Sequence, residues 1–381
     1  MKIAQFGTFD VDNYGDLLFP YIARYRLSGY ELVHVSPTNS KTSFLDSLPV
    51  ISYKQSLNEK FDAVLVGGGN IIHAGNTLLN NYKNVSGFAY PYLWMGAARI
   101  ANKQKIPLIF NAPGIMSTYH GLIERKLYKE VFSLSSYLSF REYESAQIAS
   151  SIILKNIEIV PDTAFDISNM WPIDGDEKGK YIIVNLNQRY HQPIKNTVEF
   201  LLKLKKRLNQ PIKLIIIGGC HGDHEFARNV QKEAKGEVEI IETMSIKSMA
   251  HLIGKASYFL GSSLHGFITA LTYGTPALLV LNDKPMKKFT GLISLLKLPV
   301  NSICYSWEDA FKRLDYPVLI TLKNKEDIKV KLDNHWQKIN ECILAGQASK
   351  PSLIIDNWKT LLLINRSFYK VKSIIKIKYR A

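Results

Sequence analysis

Short apolar runs alternate with helical patterns along this chain, and that alternation restricts the fold more than any other feature. Residues 2–6 read as a strand and 17–28 as a helix starting after Asp16. Further apolar runs follow at 31–35 (ELVHV), 62–66 (DAVLV), 106–110 (IPLIF) and 157–162 (IEIVPD), with helical patterns at 92–104 and 121–134. The stretch 136–152 reads as a short strand and a helix. Strands alternating with helices predict a parallel, doubly wound sheet covered on both faces. The polar stretch SNMWPIDGDEKGK (168–180) interrupts the pattern and reads as a linker. Alternation then restarts with strands at 181–186, 213–219, 237–241, 257–262 and 276–281, and helices at 195–208, 222–235, 245–256 and 264–273. The expectation is an α/β protein with a first domain over 1–168, a linker at 169–180, a second domain over 181–345 and a basic helical tail over 346–381. Ligands of such sheets sit beyond the carboxyl ends of the strands, which places a site in the cleft between the domains.

Bulk properties narrow the class. A chain of 381 residues can bury two cores, and 46% hydrophobic with 21% charged residues is a globular balance. Its three cysteines, Cys220, Cys304 and Cys342, are scattered, which argues against a disulfide framework and for a reducing compartment. The N-terminal MKIAQFG lacks a signal-peptide pattern, and no apolar run approaches the roughly 18–20 residues of a membrane span. A cytoplasmic protein is expected. The net charge is +15, and RSFYKVKSIIKIKYRA (366–381) carries six basic residues and no acidic one. Phe368, Val371, Ile374 and Ile375 recur there at near-helical spacing. Such a segment can lie on an anionic membrane surface, or fray in solvent as termini do. No RRM, helix-turn-helix or zinc-finger pattern occurs, so no nucleic-acid partner is expected.

Five stretches carry candidate chemistry. FGTFDVDNYGD (6–16) places Asp10, Asp12, Asn13 and Asp16 between a strand and a helix, with Gly15 read as serving an awkward backbone angle and Asp16 as the helix cap. VLVGGGNIIH (64–73) lets backbone N–H groups approach an anion or sugar oxygens at Gly68 and Gly69, beside Asn70 and His73. NLNQR (185–189) puts Arg189 just past a strand, where a guanidinium binds carboxylate or phosphate two-pronged. IIIGGCHGDHEF (215–226) offers His221 and His224, but no third ligand at a metal-site spacing, and no metal is expected. YFLGSSLHGFITALTYGTPALLVL (258–281) runs a strand into Ser262 and Ser263, then a helix with His265 in its first turn, where anions are attracted.

FDVDNYGD, VLVGGGNIIH, SFREYES (139–145), IVPDTAF (159–165) and SMAHLIGKASYFLGSSLHG followed by YGTPALLVLNDKPMKKF occur in this order, and on them the chain resembles the polysaccharide pyruvyl transferase family. The resemblance covers residues 6 to about 289 and implies two Rossmann-like domains, similar to glycosyltransferases of the GT-B type. It implies transfer of pyruvate from phosphoenolpyruvate, as a co-substrate with no cofactor, to two hydroxyls of one sugar. The product is a cyclic ketal on a bacterial surface glycan or its lipid-linked precursor. Peripheral attachment at the inner face of the plasma membrane would suit such an acceptor. On this reading His265 is the general acid or a phosphate partner, and Arg189, Ser262, Ser263, His221, Lys284 and Lys288 hold the donor. Asp12 or Asp16 is the base, with Asn13, Gly68, Gly69, Asn70, His73 and Arg141 on the acceptor side. One departure stands out: the family commonly has Arg immediately before Leu-His-Gly, and this chain has Ser263. A nucleotide-sugar glycosyltransferase of the same fold, and a degenerate homologue without catalysis, are the competing readings.

Overall fold

The computed structural model describes the chain apart from residues 176–177, 191, 243, 282–286, 299–301, 349 and 379–381. Lys284 therefore lies outside the described residues.

The first sheet holds five parallel strands: β1 (Lys2–Phe6), β2 (Glu31–Ser36), β3 (Val50–Ser52), β4 (Ala63–Gly67) and β5 (Leu108–Asn111), in the order β3-β2-β1-β4-β5. A parallel pair, β6 (Ser139–Phe140) and β7 (Glu158–Ile159), adjoins β5 through an Ile109–Tyr137 bridge. The second sheet contains β8 (Ile182–Asn185), β9 (Ile212–Ile215), β10 (Glu239–Ile241), β11 (Tyr258–Gly261), β12 (Ala277–Val280) and β13 (Ile303–Cys304), in the order β10-β9-β8-β11-β12-β13. Its pairings are also parallel. β4 is buried along its whole length, which is why it appears in sequence as an unbroken apolar run.

Each sheet has one place where the chain reverses its direction of winding. In the first, the chain moves outward from β1 to β3, then returns to the other side of β1 with β4. In the second the same happens between β8 and β11. The loops leaving these neighbouring strands diverge and leave a crevice. The two crevices face one another.

The helix Tyr14–Arg26 holds the two halves together. It begins earlier than its apolar pattern because Asn13, not Asp16, is the cap: the Asn13 side chain accepts the Gly15 N–H at 3.1 Å. The Tyr14 N–H donates to the Ile217 carbonyl at 2.9 Å, and its hydroxyl meets Thr269 Oγ1 at 3.0 Å. Leu18, Phe259, Phe267 and Leu271 belong to one apolar cluster that runs through both sheets' helices. A shared hydrophobic core opposes the free domain motion that a small polar interface would allow.

The C-terminal helices cross back to the first domain. In the helix Leu322–Ala345, His335 bonds both Asn111 and Tyr137 at 2.8 Å, and Trp336 donates to Asp166 at 3.1 Å. Trp358, at the start of the helix Trp358–Lys378, is fully buried against the first domain with Ile355 and Leu362. Arg366 is anchored rather than free, donating to the Ala74 carbonyl at 2.6 Å and to the Gly87 carbonyl. The expected tail is therefore docked where it begins. Among the described residues no helix is long and apolar enough to cross a membrane.

Candidate active site

Loops after β1, β4, β8, β9 and β11 enclose a cleft of about 480 Å³. Asn13, Asp16, Gly69, Asn70, His73, Arg141, Arg189, His221, Ser262, Ser263, His265 and Lys288 all line it. Residues predicted from distant parts of the sequence thus converge on one place. Gly68 sits just behind the wall at φ +79°, with the Phe19 ring filling the space a Cβ would need. Gly69, at φ +71°, brings its backbone close to the Asp16 carboxylate.

Asp12 does not join them. Its backbone carbonyl accepts the Cys220 N–H at 3.1 Å, and its carboxylate turns away to accept the Ser43 N–H. It borders a separate small hollow beside Gly219 and His224. The expectation of Asp12 as a base at the sugar is corrected by this geometry: the side chain after the Val11 turn leaves on the far side of the loop.

His265 occupies the floor. Ser263 caps its helix, Leu264–Thr272, by accepting the Gly266 N–H at 3.1 Å. That cap holds the imidazole in the first turn, 13% exposed, edge-on to Phe19 with ring centroids 5.4 Å apart. On its other side lies Gly15. A Cβ on Gly15 would stand 1.9 Å from His265 Nδ1, so no residue other than glycine fits. Gly15 has no positive φ; the expectation of an awkward backbone angle is replaced by close approach to the histidine.

Behind His265 stands a buried ion pair that the motif reading passed over. Arg141 Nη1 donates to Asp162 Oδ2 at 2.8 Å, both side chains 4% exposed, and the same oxygen lies 3.5 Å from His265 Nε2. The Ala164 N–H donates to Asp162 Oδ1 at 3.0 Å. Burial alone would raise the Asp162 carboxyl, but His265, Arg141 and the Ala164 N–H together hold it well below the usual carboxylate range. Burying two charges costs several kcal/mol each, and that cost is offset only when every lone pair finds a partner. Arg141, read in the sequence on the acceptor side, lines the same cleft as His265 and pairs with the Asp162 that faces the histidine. Glu142 and Asp162 both lay within family-like stretches, but nothing in the sequence marked them as buried.

The remaining charges set up a mixed field. Burial pushes the Asp16 carboxyl up to about 6, against the pull of His265, the Thr8 hydroxyl, Arg141 and Lys288. Burial, with Arg141 and Arg189 nearby, brings Lys288 down to about 8, while Asp16 and Glu142 act the other way. Lys288 reaches the cleft because the helix Lys287–Leu295 packs Gly291 tightly against Glu142. Burial lowers His221 to about 4, helped by Arg189 and Lys288, and lowers His73 to about 4, helped by Arg366. Both are thereby shifted toward the neutral form, in which an imidazole hydrogen-bonds rather than presenting a charge. Tyr90, also on the cleft wall, is raised by burial and keeps its proton. Arg141 Nε, Asn70 Oδ1 and His73 Nε2 are buried polar atoms without a hydrogen-bond partner among the described residues. Such groups on a cleft wall are the ones a ligand satisfies.

The fold is shared with UDP-GlcNAc 2-epimerases, and the likeness is that of the GT-B type. The enzyme from Neisseria meningitidis, bound to UDP-GlcNAc, superposes with a TM-score of 0.54 at 16% identity, covering 91% of this chain and 100% of that one. The one from Rickettsia bellii gives 0.55 at 12% identity, covering 90% and 96%. The one from Methanocaldococcus jannaschii gives 0.52 at 17%, covering 85% and 94%. At these identities the likeness concerns the fold alone. A comparison with curated proteins gives no significant match. The sequence profile described as polysaccharide pyruvyl transferase matches residues 13–284, which runs from the Asn13 cap through both crevices and past His265. On the strength of that match over most of its length, the chain belongs to the polysaccharide pyruvyl transferase family.

Proposed function

We propose that this protein transfers the pyruvate of phosphoenolpyruvate to two hydroxyls of one sugar in a surface polysaccharide or its precursor, forming a cyclic ketal and releasing phosphate. The observation that carries this reading is the convergence of Arg141, Arg189 and Lys288 around His265 in one cleft. Phosphoenolpyruvate has a carboxylate and a phosphate, and cations are needed to hold both. Lys288 gains its full charge when an anion binds beside it. It also offsets the cation that the family usually carries at the position of Ser263. Ser262 and the Ser263 cap leave a helix N-terminus open to phosphate oxygens.

His265, as imidazolium, gives its proton to the methylene carbon, and the double-bond pair becomes the new C–H bond of a methyl group. The carbon bearing phosphate turns electrophilic. A sugar hydroxyl attacks it, and Asp16 accepts the proton released. Phosphate then departs with the C–O bonding pair, and the second hydroxyl closes the ring on the same carbon. Two hydroxyl protons are released for the one consumed: one restores His265, and the other leaves with phosphate. Asp162 does not touch the substrate in this scheme. Its carboxylate oxygen lies 3.5 Å from His265 Nε2, behind the ring. Asn70, His73 and Tyr90 supply neutral hydrogen bonds to the sugar.

The test is to mix purified protein with phosphoenolpyruvate and candidate acceptor glycans, following phosphate release and the mass gained by the glycan. Coupled phosphate release and ketal formation is the expected result. No turnover with any acceptor, together with turnover of a nucleotide sugar, would contradict the reading and favour a glycosyltransferase.

A further inference from the structure

We propose that the cleft mouth and the C-terminal helix form one face that docks on an anionic bilayer. The inference rests on where the docked helix lies. Arg366 reaches the Ala74 and Gly87 carbonyls, and Asn365 donates to the His120 carbonyl at 3.0 Å. Tyr369 closes over Gly121, where a Cβ would stand 2.4 Å from the tyrosine hydroxyl. The helix is thereby wedged between the segments 74–87 and 116–121. Those same segments supply Asn76, Thr77, Leu78 and Met116 to the cleft rim. The start of the basic segment and the site entrance are thus neighbours in space, although some 290 residues separate them in sequence.

Large exposed apolar side chains lie on this rim and on the segment and helix beside it. Leu78 is 99% exposed, Leu122 83% and Phe368 73%, with Met116 at 40% beside them. Scattered single exposures are ordinary, but two on the cleft rim, with Leu122 on the helix that follows and Phe368 on the basic helix beside it, form a group. The charge supplies the identity of the partner. The segment 366–381 carries six basic residues and no acidic one, and it begins at Arg366, which is held on the first sheet's side of the cleft. Apolar side chains that insert shallowly and a cationic helix beside them match a surface of anionic headgroups over acyl chains. Each basic residue near such a surface strengthens binding about fivefold, about 1 kcal/mol. The docking does not depend on the reaction proposed above. Only its consequence does: an acceptor sugar anchored to the bilayer by a lipid would enter the cleft directly.

The full chain is tested by co-sedimentation with phosphatidylglycerol-containing vesicles and with pure phosphatidylcholine vesicles, at low and raised salt. Binding is expected to the anionic vesicles only, and to weaken with salt. The double variant Leu122→Glu with Phe368→Glu should bind at least about tenfold more weakly. Leu154→Glu serves as the control. Leu154 is fully exposed beside Ser133, at the opposite end of the helix Gly121–Leu134 and so about 16 Å along that helix from Leu122, and this variant should bind as the parent does. An unchanged melting temperature shows that the double variant is folded, and retained phosphoenolpyruvate turnover with a soluble acceptor separates docking from chemistry. Equal binding by the double variant overturns the proposal. So does no binding to either vesicle, which would leave this face to a protein partner.

Discussion

At the floor of the cleft, Arg141, Asp162 and His265 are fixed by an ion pair, a helix cap and a glycine that leaves no spare room, whereas at its edge Arg189 is exposed and Asp12 faces a different hollow. Both regions are loops at the carboxyl ends of parallel strands, and both contain charged residues of the right kind. They differ in how many independent contacts determine each side chain. Catalysis needs groups held within a fraction of an ångström, and among the described residues the floor is where several independent contacts fix one side chain. The comparison predicts steep losses from conservative changes at the floor and a small one at Asp12, whose side chain leaves the cleft.

Gly15→Ala should be the most damaging of the small changes. Its methyl cannot coexist with His265 in place, so either the imidazole or the helix Tyr14–Arg26 must shift. A displacement of about 1 Å at a reacting group lowers kcat about 100-fold. Steady-state kinetics of the folded variant check this; a kcat near that of the parent would show that the histidine is not held as described.

Asp162→Asn comes next. Removing one partner of a buried pair should cost about 3–5 kcal/mol, read by denaturant unfolding at neutral pH. The folded carboxyl lies below its ordinary range, so its stabilising contribution is present above the unfolded value and is lost as pH falls through the folded one. The gap between parent and variant should accordingly narrow in acid. A gap that does not change with pH would mean that the carboxylate charge plays no part.

Asp16 behaves in the opposite sense. Its carboxyl is raised to about 6, so the ionised form is the one that burial disfavours. Asp16→Asn should therefore raise the melting temperature more above pH 6 than below it. The same substitution should remove a fall in kcat that the parent shows as pH drops through about 6. Persistence of that acid limb in the variant would assign the base elsewhere. Asp12→Ala is the smallest effect expected, within about 0.5 kcal/mol in stability and less than about twofold in kcat. A large loss of activity there would break the contrast between floor and edge.

Much of this site was legible from the chain. The helix Gly121–Leu134 and the strand-to-helix junction at Ser263 follow from apolar periodicity and capping chemistry, which act within a few residues. His265 was legible for the same reason. What escaped depends on pairings that local pattern does not encode. Asp162 lies 21 residues from Arg141 and 103 from His265, and a charged residue in a loop gives no sign of burial. Gly15 was noticed but explained by the wrong property, because the atom it makes room for is 250 residues away. The strands β3 and β13 are three and two residues long, too short for any periodicity to show. The return of the helix Leu322–Ala345 to the first domain also has no local signature; it is fixed by His335 meeting Asn111 and Tyr137.

The central claim is that His265, on the floor where the two crevices meet, delivers a proton to the donor's methylene carbon. Running the reaction in heavy water tests it most directly, with the glycan product examined by mass spectrometry and NMR. The account predicts one deuterium in the ketal methyl group for the parent protein, and neither ketal nor phosphate release for His265→Gln, which still binds phosphoenolpyruvate. Turnover by His265→Gln at the parent's rate, with the same deuterium content, would contradict it.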